Sequence, residues 1–128
     1  MEEKNNIPFD IKTEIKGGIV YVDATGKRNL ETVLGITKRT IEVCEEKNIQ
    51  KALVDVRKLE GKLRTSDSFS IPTEHFEKLR YRTVLQQAAV VDLKENLEAY
   101  SFFENVAVNR GYRLKFFNSV EEALGWLK

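Results

Sequence analysis

One cysteine, one histidine, one tryptophan, one methionine and two prolines are all that 128 residues hold of these types. A single cysteine, Cys44, excludes an internal disulfide and any cysteine-built zinc cage. With the single His75 it leaves too few ligands for an ordinary structural zinc site, so neither a metal nor a cofactor is expected. Cys44 also falls on the apolar stripe of a helix, where a thiol behaves as a small hydrophobe and not as half of a Cys–His catalytic pair. An excess of one charge is missing too. The 21 basic and 20 acidic residues make no overall field to attract nucleic acid or an anionic membrane. No apolar run approaches the ~20 residues that span a bilayer.

The opening Met1-Glu-Glu-Lys-Asn-Asn6 carries acidic residues where a signal peptide has basic ones, and a cytoplasmic protein with a flexible segment over residues 1–7 is expected. No nucleophile elbow, phosphate loop or dinucleotide fingerprint occurs; Gly17-Gly18 leads into a strand and not a helix. Single-strand nucleic-acid binders interleave aromatics with basic groups, and here only Tyr81 and Tyr112 fit that role, so no nucleic-acid partner is expected. An enzyme is not expected either.

What is present is periodicity. Hydrophobic residues make up 41% and charged residues 32%, the balance of one globular domain spanning 1–128. Phe9, Ile11, Thr13 and Ile15 alternate with polar residues as a half-buried strand does. Ile19 to Asp23 continues beyond Gly17-Gly18 as the second arm of a hairpin. Asn29 caps a helix running to about Asn48, with Leu30, Val33, Leu34, Thr37, Ile41 and Cys44 on one face. Ile36 and Val43 at its margin are either covered by neighbouring loops or free for a dimer contact. Lys51–Val56 is apolar on both faces, as in a central strand. A polar connection from Arg57 to Ser68 then leads to a helix beginning near Ser70–Pro72, because proline is tolerated in a first turn. Gln87–Val91 is a fourth strand. Glu95 to Arg110 forms a helix with Ala99, Tyr100, Phe103, Val106 and Ala107 inward and Gly111 at its end. Arg113–Phe117 and a closing helix capped by Ser119, with Glu122 as its box partner, finish the chain. The order β-β-α-β-α-β-α-β-α predicts an α/β fold: a mixed, mostly parallel five-stranded sheet with an antiparallel edge hairpin and about four helices.

This order, together with Ala52-Leu-Val-Asp-Val-Arg-Lys-Leu-Glu-Gly61, Ala88-Ala-Val-Val-Asp92 and Leu114-Lys-Phe-Phe-Asn-Ser-Val-Glu-Glu-Ala-Leu-Gly-Trp-Leu127, resembles the STAS superfamily, and within it the SpoIIAA-like branch. The resemblance implies a binding or regulatory domain that engages a protein partner or, in some members, a nucleotide or an apolar ligand. In the anti-sigma-factor antagonists of that superfamily a serine just after the third strand is phosphorylated. Ser66, Ser68 and Ser70 are the corresponding phosphoacceptor candidates. The loop from Asp55 is longer here and Phe69 stands where a small residue is expected. Ser68 or Ser70 capping the second helix is the alternative role.

The residues themselves add three readings. Arg57, Arg64, His75, Lys78 and Arg82 form a basic set for an anion or an acidic partner, with His75, Lys78 and Arg82 at i, i+3 and i+7 of one helix. The other reading of that set is a solvated face. Phe69, Phe76, Tyr100 and Phe102 would line an apolar pocket if the second and third helices splay, suited to a fatty acid or other amphipathic anion, or else belong to an ordinary core. Asp55 and Asp92 end parallel strands, where ligands of open α/β sheets gather, and are expected to be solvated or to cap helices. The expected function is a non-enzymatic regulatory, protein-binding module, with a carrier of a small apolar or amphipathic ligand as the alternative and a homodimer as a further possibility.

Overall fold

A computed structural model describes residues 9–128; the segment expected to be flexible, 1–7, lies outside the described residues. Five strands form one sheet in the order β1 (Phe9–Lys16), β2 (Ile19–Lys27), β3 (Lys51–Glu60), β4 (Gln87–Val91) and β5 (Leu114–Phe117). β1 and β2 are antiparallel, and the other neighbours are parallel. Gly17 and Gly18 both have positive φ, +57° and +77°, the conformation that a two-residue hairpin turn with the right twist requires.

Sequential strand order has a consequence for the layers. Each right-handed crossover advances the sheet in the same direction, so the connecting helices stack on one face. There α1 (Leu30–Lys47) and the later crossover helices enclose a core that includes Val20, Val22, Ile36, Ala52, Val54 and Phe103. On the other face, among the described residues, only α7 (Val120–Leu127) is laid down, burying Ala123 and Leu127 against Leu53, Ala89 and Val91. β3 is thus central and apolar on both faces, as its sequence requires.

The caps of α1 are as expected. Asn29 Oδ1 accepts the Thr32 N–H at 2.8 Å, and Asn48 closes the helix in the left-handed region at φ 56°. Ile36 and Val43 are each 4% exposed, covered within the chain and not free for a dimer contact. The ring of Phe9 lies over Gly35, where a Cβ would fit only if the ring moved. The Ser119 hydroxyl accepts the Glu122 N–H and starts α7.

Three expectations need correction. First, β3 does not end at Val56 but runs to Glu60, through a register shift: Asp23 pairs with Asp55, yet Thr25 pairs with Lys58. The extra residue on β3 is a bulge that reverses the inside–outside phase, so Leu59 and not Lys58 enters the core. Second, the next helix starts earlier, as α2 (Thr65–Ser70), then a π-helical turn (Ile71–His75), then α3 (Phe76–Lys78). Pro72 sits inside this run and not in a first turn. It donates no hydrogen bond, and the widened turn accommodates it. α4 (Tyr81–Val84) follows after Arg80, which has φ 65°. Third, the helix expected from Glu95 is broken at Tyr100 into α5 (Lys94–Ala99) and α6 (Ser101–Asn109), which leaves Ala99 exposed. The helices are therefore more numerous than four because two expected helices are each interrupted.

Candidate functional site

The C-terminal ends of β2, β3 and β4 meet a polar cluster centred on a residue that sequence reasoning passed over. Arg28 lies between β2 and the cap of α1 and is only 6% exposed. Its guanidinium donates to both carboxylate oxygens of Asp92, at 3.0 and 3.3 Å. It also donates to the carbonyls of Val56 and Leu59, each at 3.3 Å, and through Nε to that of Gly61 at 3.0 Å. Asp92 is fully buried, contrary to the expected solvated role. Its Oδ1 also accepts from the Leu93 N–H at 2.7 Å and the Asn96 side-chain amide at 2.9 Å, but it does not cap α5, whose N-terminal residue Leu93 makes no side-chain cap. Burial of such a pair is tolerable because nearly every lone pair and proton finds a partner.

Tyr100 completes the clamp. Its ring carries the Arg28 guanidinium 5.4 Å from the centroid, and its hydroxyl accepts the Leu63 N–H at 3.0 Å. Arg28 and Tyr100 thus hold the turn after β3 from both sides. No sequence pattern signals Arg28: it is isolated among polar residues, and its partner lies 64 positions away.

Below this cluster is an apolar cavity of about 90 Å³ between α1, the helix face of β3–β5 and the α3–α6 layer. Phe76, Tyr100, Phe103 and Phe116 line it beside Val54 and Val90, with Arg28 at one end. Such a space is several times the roughly 10–15 Å³ that admits one water. Of the four aromatics expected to line a pocket, Phe76 and Tyr100 do so. Phe69 and Phe102 stand outside, 48% and 45% exposed, with their rings nearly parallel and 6.5 Å apart. They form an aromatic patch joining α2 to α6.

The candidate serines lie in α2, which begins at Thr65, so none of them caps it; the N-terminal residue Arg64 makes no side-chain cap. Ser66 is exposed in the first turn, Ser68 is buried, and Ser70 is half-buried with its hydroxyl on the Asp67 carbonyl at 3.4 Å. The basic set is dispersed. Arg57 is bound to Asp55, with Nη2 at 2.7 Å from Oδ2, on the α7 face of the sheet. Arg64 approaches Asp67 at 3.6 Å. His75 and Lys78 share the π-turn and α3, but the left-handed residue Arg80 removes Arg82 from their row. Arg82 lies over the Tyr112 ring and donates to the Arg110 carbonyl.

Asp55 and Cys44 are among the groups whose ionisation the fold perturbs. Burial opposes ionisation of Asp55, but the side-chain and backbone hydrogen bonds from Arg57, with the charges of Arg57 and Lys58, outweigh it and hold its pKa below the ordinary value. Burial alone pushes the Cys44 thiol up to about 11. Asp55 and Asp92 do not form a pair: Asp55 shares the face of Val91, whereas Asp92 turns to Arg28. Among the described residues no three His, Cys, Asp or Glu side chains converge on a metal-sized space, and no helix is long and apolar enough to cross a membrane.

No family model and no curated protein matches this sequence. Solved structures do. An uncharacterised protein of the DUF3478 family with a SpoIIAA-like fold, from Shewanella loihica PV-4, superposes with a TM-score of 0.57 at 20% identity, over 94% of each chain. An anti-sigma factor antagonist from Mycobacterium paratuberculosis superposes with a TM-score of 0.59 at 15% identity, over 93% of each chain. Both likenesses cover more than nine-tenths of the chain, which has a SpoIIAA-like fold.

Proposed function

We propose that this chain is a non-enzymatic regulatory module that binds a protein partner through the turn after β3 and the helical run from Thr65. The observation that carries this reading is the stacked, half-exposed Phe69–Phe102 pair. Large aromatics are seldom left in water together unless a surface binds something. The Arg28–Asp92–Tyr100 clamp underneath fixes the turn, so the surface is presented without a large ordering cost. The likeness to an anti-sigma factor antagonist supports a protein partner. Ser66 is the one candidate serine that a kinase reaches without opening the helix, and a phosphoryl group there would add roughly −2 charge beside this surface.

The test compares wild type with Phe69→Ser/Phe102→Ser. Proteins captured by the immobilised wild type are identified, and the leading one is purified and titrated. The double substitution should weaken its binding at least about tenfold, as expected for central aromatic anchors. Equal affinity, with both proteins folded, would refute this surface.

A second reading is favoured by the cavity: a small apolar molecule bound against Phe76 and Phe103. The amphipathic anion expected from the sequence does not suit it, because Arg28, the one cation at the cavity among the described residues, is already neutralised by Asp92. A neutral occupant does. 1-Hexanol should raise the melting temperature more than hexanoate at equal concentration; the reverse order would sink the neutral-ligand reading.

A further inference from the structure

β1 ends the sheet, and among the described residues no strand pairs with its outer side. From Asp10 to Lys16 it is largely exposed, including Ile15 at 41%, so the neighbouring helices do not overlie this edge. A free edge of eight residues is a ready template for another strand. We infer that the partner of this edge is β1 of a second copy, antiparallel, with Thr13 opposite Thr13 on the two-fold axis.

The argument rests on register. Backbone groups point outward at every second residue, so a two-fold ladder forms only where some residue lies opposite itself. The even-numbered side chains, which lie on the α7 face of the sheet and away from the α1 layer, carry alternating charge: Asp10, Lys12, Glu14, Lys16. Centring on Lys12 sets Lys12 against itself and Asp10 against Glu14. Centring on Glu14 sets Glu14 against itself and Lys12 against Lys16. Both place like charges directly opposite, which is destabilising.

Centring on Thr13 sets Asp10 against Lys16 and Lys12 against Glu14, each twice by symmetry. Every charge on that face then meets its opposite. On the helix face the same register sets Ile11 against Ile15, covering the isoleucine that the monomer leaves in water. Centring on Ile11 or Ile15 also matches charges, but among the described residues it pairs five or three residues of β1 against seven for Thr13. The charge pattern therefore selects the one long register and penalises its neighbours. The product joins two five-stranded sheets into one, with both helix layers on the same side. One strand pair is a small interface, so the dimer is a weak one.

The test is a charge swap read by sedimentation velocity over a concentration series. Asp10 lies opposite Thr25 and Lys16 opposite Ile19 within the monomer, so reversing them places no charge against a like charge on β2. Asp10→Lys alone and Lys16→Asp alone should each weaken dimerisation roughly tenfold, since each creates two like-charge pairs. The double variant should recover wild-type association, with thermal melts confirming that all forms are folded.

Cysteine placement reads the register separately. Thr13→Cys should oxidise to a covalent dimer much faster than Lys12→Cys or Glu14→Cys; the native Cys44 is buried and does not compete. A wild type that stays monomeric at the highest concentration overturns the inference. So does a folded double variant that fails to recover, or crosslinking as fast at 12 or 14 as at 13.

Discussion

Removing the positive charge at residue 28 should be among the most damaging single changes available to this fold. In Arg28→Met the side chain keeps much of its length but loses every donor. Asp92, fully buried, keeps only the Leu93 N–H and the Asn96 amide. The carbonyls of Val56, Leu59 and Gly61 lose the guanidinium as well. Stripping one partner from a buried pair costs about 3–5 kcal/mol, because the other charge is left without compensation. A domain of this size has about 5–15 kcal/mol in total, so the loss is a large part of its stability. With a urea slope of about 1–3 kcal/mol per molar, the midpoint should fall by roughly 2 M.

Two controls make this measurement decisive. Arg80→Met breaks a pair of similar geometry, Arg80 to Glu45 at 2.8 Å, but both side chains are about half exposed. Its cost should stay below about 1 kcal/mol. Combining Arg28→Met with Asp92→Leu removes the orphaned carboxylate, so the double variant should be more stable than the sum of the single losses by at least about 2 kcal/mol. A cost for Arg28→Met no larger than that of Arg80→Met, or strict additivity with Asp92→Leu, would show that the cluster is not the clamp inferred here.

Other outcomes follow from smaller features. Asp55 has a depressed pKa in the folded chain, so the stability it contributes is present above the ordinary carboxyl range and is lost as pH falls through its folded value. Urea midpoints measured from pH 7 down to about 2.5 should therefore fall less steeply for Asp55→Asn than for wild type, and parallel curves would contradict the assignment. Cys44, at 1% exposure and with its thiol pushed up to about 11, should resist a thiol reagent at pH 8 in the native state and react fully in denaturant. Rapid native labelling would show that α1 opens locally. Phe69→Ser and Phe102→Ser each remove a half-exposed ring and should change the unfolding free energy by about 0.5 kcal/mol or less by urea titration, whereas Phe76→Ala, at the cavity wall, should cost about 3–5 kcal/mol. Equal losses would mean that the outer pair is structural.

Local signals were legible and long-range ones were not. Gly17-Gly18, Asn29, Asn48 and Ser119 act within a turn of their own position, and the hairpin and the ends of α1 and α7 fall where those residues place them. The order of strands followed because each apolar run is bounded by polar residues. The β3 bulge escaped because an inserted residue breaks the alternation by which strands are read; Leu59 looks like an isolated apolar residue in a polar loop. Pro72 suggested a helix start because a π-turn leaves no sequence signature of its own. The site suffered most. Arg28 gains its meaning from Asp92, Tyr100 and three carbonyls, all far from it along the chain. Phe69 and Phe102 were recognised as aromatics on adjoining helices, but which side of the helix layer they occupy depends on how that layer is tilted.

The strand order also bears on synthesis. Every sheet neighbour is the next strand in the chain, so each β-α-β unit can join the growing sheet as it leaves the ribosome, without waiting for distant partners. The helix face is assembled step by step in this way. The opposite face is different: Leu53, Ala89 and Val91 stay bare until α7 emerges. A ribosome stalled before the codons of α7 are translated would hold a nearly complete sheet with one greasy side uncovered, and a chaperone is expected to bind the nascent chain there.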